Sequence, residues 1–318
     1  MRRNKSKILA HRSVIAKKTK IGFKKKDNFK FVDSKKICIY AENGGVGDIL
    51  MLTPAVKKLR EKYPDSYIEL AIHSNGANDN IYNFLMPSKY INKVSNFRNV
   101  RKERFGTFID VSEVAEPSWE IQGINLKSRI NYYAELLKVE LDNRLPIVEI
   151  DFEKDQFIKR KLANYKKVFF IDTSSVDPRR CIHPNVIKNL INIINENNSN
   201  HCILVSDWKN IGSWKTFANV IDVTKKSLRE ICSYIKYSDI FFGPDSALMH
   251  ISAAVKTKSI IAFGMIPPEY RIATYPTHQA IRVESLSCLG CWYKPCYNNL
   301  RCMKMLDCKE IYKKMERM

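Results

Sequence analysis

The sequence predicts an α/β protein of two Rossmann-like domains, each a parallel sheet, facing one another across a cleft. Three observations carry this. Short apolar runs of strand length alternate with longer segments whose apolar residues recur on one helical face. The alternation occurs twice, in two series of about equal length. A glycine-rich turn closes the first strand of the first series, as in nucleotide-binding sheets.

Taken in order, Lys36-Ile37-Cys38-Ile39-Tyr40 reads as a buried strand, running into Asn43-Gly44-Gly45-Val46-Gly47-Asp48. Ile49, Leu52, Val56 and Leu59 then recur at helix spacing. Pro54 inside that pattern predicts a kink or a late start of the regular helix. Residues 67–72 and 107–110 read as further strands of this sheet, and 128–139 as a helix. The stretch 141–166, with Pro146 and mixed charge, reads as a connection between domains. Strands are then expected at 167–171, 202–205, 239–242 and 259–263, with helices at 185–194, 227–236 and 247–255. The resulting division is a basic tail (1–36), a first domain (37–150) and a second domain (151–318) ending in a cysteine-rich segment.

The formal charge is +21, from 54 Lys and Arg against 33 Asp and Glu, which favours anionic partners. Eleven of the basic residues fall within residues 1–26, where there is no acid. That run reads as a solvated tail or as a contact with anionic membrane lipid; no nucleic-acid motif accompanies it. No stretch approaches the roughly 20 apolar residues of a membrane span, and the start lacks a signal-peptide core. The expectation is a cytoplasmic protein, touching the inner face of the membrane at most peripherally.

Two constellations carry the chemistry. Gly45-x-Gly47 has Leu50 where a dinucleotide fingerprint places its third glycine, which argues against a dehydrogenase. Asp48 sits where the loop becomes helix, as a helix cap or as a general base aimed into the cleft. The second constellation is Phe242-Gly243-Pro244-Asp245-Ser246-Ala247-Leu248-Met249-His250, a strand end, tight turn and helix start. Asp245 or Ser246 is placed to cap that helix. Small Ser246 and Ala247 leave room for a diphosphate over its free amides. His250 reads as a packed histidine or a ligand contact.

Together these blocks resemble a known family. Gly-x-Gly-Asp-Ile-Leu-x-x-Thr-Pro-Ala, from Gly45 to Ala55, resembles the opening motif of the bacterial heptosyltransferases, glycosyltransferase family nine. Asp245-Ser246-Ala247-Leu248-Met249-His250-Ile251-Ser252-Ala253-Ala254, followed by Phe263-Gly264, resembles its donor-site motif. Asn131-Tyr132-Tyr133-Ala134-Glu135-Leu136-Leu137 resembles the helix before the interdomain link. Asp172-Thr173-Ser174-Ser175 with Arg179-Arg180 resembles the segment holding donor phosphates. The resemblance implies a GT-B fold and an inverting, metal-independent transfer of a sugar from a nucleotide diphosphate donor. ADP-heptose is the family's usual donor, and the acceptor is a hydroxyl of a glycan, lipopolysaccharide-type molecule or protein. It implies Asp48 as base, and Gly47, Thr173, Ser174, Arg179, Arg180, Asp245, Ser246, Ala247, Leu248 and His250 around the donor. The chain departs from the family where a lysine followed by tryptophan is usual and Arg179-Arg180-Cys181-Ile182 stands instead.

Of nine cysteines, five cluster as Cys288-x2-Cys291-x4-Cys296-x5-Cys302-x5-Cys308. Cys288, Cys291, Cys296 and Cys302 form a candidate structural zinc or iron site, or else a set of reduced thiols or labile disulfides. The first four cysteines recur in some family members, and a few relatives that glycosylate proteins carry iron on such a motif. Any such metal is expected to staple the carboxyl end, and catalysis to need no cofactor. Two rival readings stand beside the transferase. One is a non-catalytic basic binding protein for lipid or nucleic acid on the same fold; the other is a different nucleotide-sugar enzyme, such as an epimerase. Deleting residues 1–30 is expected to leave cooperative thermal unfolding in place, and its loss would make the tail structural.

Overall fold

The computed structural model describes residues 35–42, 44–72, 89–115, 128–291 and 294–318, so residues 1–34 of the basic tail lie outside the described residues, and its last residue, Lys36, already belongs to the first strand. Within them are two sheets, every paired strand parallel. The first has the order β3-β2-β1-β4, built from β1 (Lys36–Ala41), β2 (Tyr67–Ile72), β3 (Lys93–Asn96) and β4 (Thr107–Asp110). The second has the order β10-β9-β8-β5-β6-β7. Its strands are β5 (Lys167–Asp172), β6 (His201–Ser206), β7 (Val220–Asp222), β8 (Ile240–Pro244), β9 (Lys258–Ala262) and β10 (His278–Ile281). The two-sheet α/β architecture read from the sequence is the one observed. Strands β3, β7 and β10 are additional; three or four residues long, they carry too little periodicity to be seen.

Register follows the apolar residues. Ile39 of β1 lies between Leu70 of β2 and Ile109 of β4, and this row packs under the first helices. In β5 every residue from Val168 to Asp172 is buried, as for a central parallel strand covered on both faces.

Helix α1 (Val46–Lys62) runs unbroken through Pro54, correcting the expectation of a late start. Proline has no N–H to give to the carbonyl of Leu50. The Thr53 hydroxyl takes over, donating to that carbonyl at 2.6 Å and accepting from the Ile147 amide at 2.8 Å. Helix α2 (Arg129–Leu137) packs against α1. The stretch 141–166 is likewise more than a connection, because it contains α3 (Phe152–Leu162), capped by Asp151. Ile158 and Leu162 join the core, and Asp155 receives Lys236 Nζ at 2.9 Å and Tyr237 Oη at 2.6 Å. Mixed charge on the outer face of this helix hid it. Then come α4 (Pro184–Asn197), α5 (Leu228–Lys236), α6 (Ala247–Ala254), the short α7 (Arg301–Lys304) and α8 (Cys308–Arg317), which returns to pack on α4.

One apolar cluster runs from the first sheet through α1, α2 and α6 into one face of the second sheet; another covers the opposite face under α4 and α8. The order of each sheet reverses once, between β1 and β4 in the first and between β5 and β8 in the second. At such reversals the connections leave in opposite directions and open a crevice beyond the carboxyl ends of the strands. The turn after β1, the segment after β5 and the turn after β8 therefore all border crevices. Among the described residues no helix is long and apolar enough to cross a membrane.

Replacing Thr53 by Val strands the Leu50 carbonyl and the Ile147 amide, and is expected to lower stability by about 1–3 kcal/mol in urea denaturation.

Candidate active site

Gly45 is the N-cap of α1, and Asp48 lies in its first turn. Asp48 is therefore not the N-cap itself; as the third residue of the helix it reaches back to the cap, and its two oxygens take different partners. Oδ2 accepts the Gly45 amide at 2.8 Å, while Oδ1 faces the Arg129 guanidinium in a close ion pair. Arg129 enters from the start of α2, on the same buried stripe as Ile130, Tyr133, Ala134 and Leu137. Only 9% of its side chain is accessible, against 17% for Asp48. Burial acts to raise the Asp48 carboxyl, but Arg129, the Gly45 amide and Arg271 outweigh it and hold the group below the usual carboxylate range. Asp48 is thus ionised at neutral pH.

The start of α6 meets the start of α1. A Cβ on Gly47 would stand 2.9 Å from His250 Cδ2, so only glycine permits this approach. His250 is buried and shares a 2.7 Å hydrogen bond between Nδ1 and Tyr275 Oη. Burial drives it down to about 3, leaving a neutral ring wedged between the two helices. It is the packed, hydrogen-bonded histidine, and it also abuts the glycine turn at the start of α1.

Asp245 is buried and anchors two cations: Arg180 Nη1 at 3.0 Å and Arg271 Nε at 3.4 Å, both on Oδ2. Burial opposes its ionisation, and Arg271, then Arg180, bring the carboxyl below its ordinary value. Arg271 lies 3% exposed and acts on Asp48 as well as Asp245, so one guanidinium serves both halves of the cleft. Ser175 Oγ donates to the Asp245 carbonyl at 2.7 Å. Neither Asp245 nor Ser246 caps α6, although both were candidates. Ser246 occupies the N-cap position but gives its hydroxyl to Asp172 Oδ2 at 2.6 Å. Ala247 and Leu248 follow in the first turn, Ala247 half-buried and Leu248 8% exposed.

The segment after β5 divides its residues. Thr173 and Ser174 are fully buried; the Thr173 hydroxyl donates to Asp207 Oδ1 at 2.8 Å, and Asp207 also receives Trp214 Nε1 at 2.7 Å. These two side chains form the floor beneath the turn. Arg180 reaches the cleft, whereas Arg179 is drawn to Asp177 at 2.6 Å and to the carbonyl of Lys294 at 3.0 Å. Asp172 is enclosed, and among the described residues no cation pairs with it. Burial pushes it up to about 7, with bonds from Ser246 and the Ser174 amide pulling against that and the Asp207 charge adding to it.

Cys288, Cys291, Cys296 and Cys302 gather at the carboxyl end, where burial and then the other three thiols push Cys302 up to about 11. Their sulfurs take separate partners. Cys288 accepts from Asn298 Nδ2 at 3.0 Å, Cys296 from the Leu300 amide at 3.2 Å, and Cys302 packs on Gly264. Among the described residues no group of three or more Cys, His, Asp or Glu is arranged to hold a metal. A cavity of about 430 Å³ opens elsewhere, against Lys36, Tyr67, Glu69, Lys93 and Arg101, at strand beginnings remote from the crevice.

Sequence reasoning missed Arg129 and Arg271, and named Asp172 only as part of the segment that resembles the phosphate-holding one. Arg129 had a signal: it is the one cation in an otherwise apolar helical stripe with Ile130, Tyr133 and Leu137. Arg271 follows a short 3₁₀ turn, Pro268–Tyr270, where no periodicity marks it.

A profile described as glycosyltransferase family 9 (heptosyltransferase) matches residues 128–300, from α2 through the donor-like turn into the cysteine segment. The chain belongs to this family. Asp48 and its glycine turn precede the matched stretch. Lipooligosaccharide heptosyltransferase 2 of Campylobacter jejuni is 28% identical over 97 residues, 30% of this chain and 30% of that relative's length. The fold is similar to ADP-heptose LPS heptosyltransferase II of E. coli, with a TM-score of 0.63 at 12% identity over 89% of this chain and 99% of that one. It is also similar to the iron-containing dodecameric glycosyltransferase TibC of enterotoxigenic E. coli, at 0.62 and 14% over 90% and 77%. At such identities the likeness is one of fold, and the fold is GT-B.

The folded Asp172 carboxyl, near 7, lies above its ordinary value of 3.8. Between about pH 4 and pH 7 the folded chain therefore holds a proton that the unfolded chain has lost, and this group's contribution to stability falls as pH rises. Asp172→Asn removes that slope. Its stability relative to the parent is expected to climb from pH 4 to 7 and level off above, by denaturant titration; parallel pH profiles would contradict the burial of an acid there.

Proposed function

We propose that the protein is an inverting, metal-independent glycosyltransferase that moves a sugar from a nucleotide diphosphate donor to an acceptor hydroxyl. The family, and the similarity in fold to an ADP-heptose LPS heptosyltransferase of E. coli, favour ADP-heptose as donor. The acceptor is a hydroxyl of a glycan, a lipopolysaccharide-type molecule or a protein, received by the half of the chain up to about residue 150; the second half holds the donor.

The observation that supports this reading is the meeting of two crevices. An ionised carboxylate at the start of α1 and a helix start without a side-chain cap on α6 face the same gap, joined by Gly47, His250 and Arg271. In the proposed reaction Asp48 Oδ1 takes the proton of the acceptor hydroxyl as its oxygen attacks the anomeric carbon. The bond from that carbon to the diphosphate oxygen breaks on the opposite face, which inverts the configuration. Negative charge develops on the leaving diphosphate, where the first amides of α6 and the guanidiniums of Arg180 and Arg271 are preorganised to receive it. Those groups supply positive charge without a metal. Gly47 lets the two helix starts close on the substrates. Ser246, Ala247 and Leu248 contribute backbone and small volume, and His250, neutral, shapes the wall. Thr173, Ser174 and Arg179 support the phosphate segment from behind.

Charge also links the steps. A bound diphosphate beside Arg271 offsets that cation's pull on Asp48, so donor binding raises the basicity of the carboxylate before the acceptor reacts. Asp48→Asn retains an oxygen for the Gly45 amide and is expected to cut kcat by roughly 10²–10⁴-fold with ADP binding kept. Nucleotide release from a panel of nucleotide sugars, followed in parent and variant, is the measurement. Turnover by Asp48→Asn at the parental rate would remove Asp48 as the base.

A further inference from the structure

We propose that Asp172 is a positioning residue, which keeps the amides at the start of α6 open to the donor diphosphate by holding the Ser246 hydroxyl away from them. The inference rests on the donor-site reading above and deepens it.

A serine at an N-cap position ordinarily turns its oxygen back onto the second or third amide of its own helix. This chain does so elsewhere. Ser128 accepts from the Ile130 amide at 3.4 Å at the start of α2, and Ser227 accepts from the Glu230 amide at 3.3 Å at the start of α5. Ser246 holds the same position on α6 and makes no such bond. Its backbone is more extended, φ −141° and ψ 174° against −62° and 154° at Ser227, and its hydroxyl donates to Asp172 Oδ2 at 2.6 Å.

The surroundings fix Asp172 in that role. It ends β5, which pairs directly with β8 at the reversal of the sheet. A Cβ on Gly243 would stand 2.9 Å from the Asp172 Cβ, so glycine at that point brings the carboxylate against the β8 turn. Oδ1 meets the Ser174 amide at 3.4 Å, which leaves Oδ2 aimed at Ser246. Asp172 has no exposure, so water does not reach its carboxylate in place of the hydroxyl, whereas Ser246 itself is half-buried.

A consequence for recognition follows from counting protons. A hydroxyl has one hydrogen to donate, and that of Ser246 is committed to Asp172. It is therefore the helix amides, and not this hydroxyl, that are left to bond phosphate oxygens. Without Asp172 the hydroxyl oxygen is released to cap α6, and a diphosphate must displace it before reaching the amides.

The test is the affinity of the full-length protein for ADP by titration calorimetry, with cooperative unfolding verified for each variant. Asp172→Ala is expected to bind ADP roughly fivefold more weakly, the worth of an N-cap bond expressed as affinity. Asp172→Asn keeps an oxygen that accepts the hydroxyl and is expected to restore binding toward the parental value. Adding Ser246→Ala to Asp172→Ala removes the competing cap and is expected to recover the lost affinity, which a merely structural role for Asp172 would not produce. Should Asp172→Ala fail to fold, Asp172→Leu, of similar shape and without an acceptor, takes its place in both measurements. Parental affinity in the single variant, or a double variant as weak as the single, overturns the positioning role. Absence of ADP binding by the parent protein overturns the donor-site reading itself, and this inference with it.

Discussion

The organisation of the cleft depends on one close approach, that of Gly47 to the His250 ring. Two helix starts, each following a strand at the point where its sheet reverses, meet with no side chain between them on the α1 side. Helix starts carry positive partial charge and would repel one another if set tip to tip without compensation. Here carboxylates intervene: Asp48 answers the α1 tip directly, and Asp245 stands at the turn into α6. A neutral His250 between them adds volume without adding charge. The geometry that brings the helices together is thus bound up with the electrostatics of the gap.

That gap holds charges of both signs, arranged in a sequence across it. Arg129 faces Asp48, Arg271 reaches both acids, and Arg180 completes the row beside Asp245. Buried charges of this kind are tolerable because each meets an opposite one; removing a single member leaves its partner stranded at a cost of about 3–5 kcal/mol. The same arrangement suits an anionic ligand, since guanidiniums held by carboxylates are already oriented when a diphosphate arrives and lose little freedom on binding. Asp172 differs from the other two acids because it has hydroxyl and amide partners and no cation, and its carboxyl moves upward as theirs move downward.

Much of this was legible from the sequence, for identifiable reasons. Long buried strands such as β5 and β6 announce themselves as uninterrupted apolar runs, and the turns at the ends of β1 and β8 carry glycines and small residues where the two helix starts come close. Asp48 and Asp245 were found because they stand at fixed offsets from those turns. Helix α3 was taken for a connection because its charged outer face outweighs the two apolar residues it sends inward. The ion pairs were not legible. Arg129 lies 81 positions from Asp48, and Arg271 lies 26 beyond Asp245; such pairings are set by tertiary packing, to which local periodicity is blind. The cysteine spacing left a metal site and reduced thiols both open; the sulfur of Cys302 packs on Gly264, while Cys288 and Cys296 accept from N–H donors.

The continuity of the apolar cluster from the first sheet through α1, α2 and α6 into the second has a bearing on how this molecule moves. Two lobes tied only by a strand of chain can swing apart as a clamshell does. Two lobes that interlock through Leu50, Met249 and Phe263 must instead slide these side chains past one another, keeping oil against oil throughout. Any relative displacement of the two halves is accordingly confined to a shear of small amplitude that keeps these side chains packed.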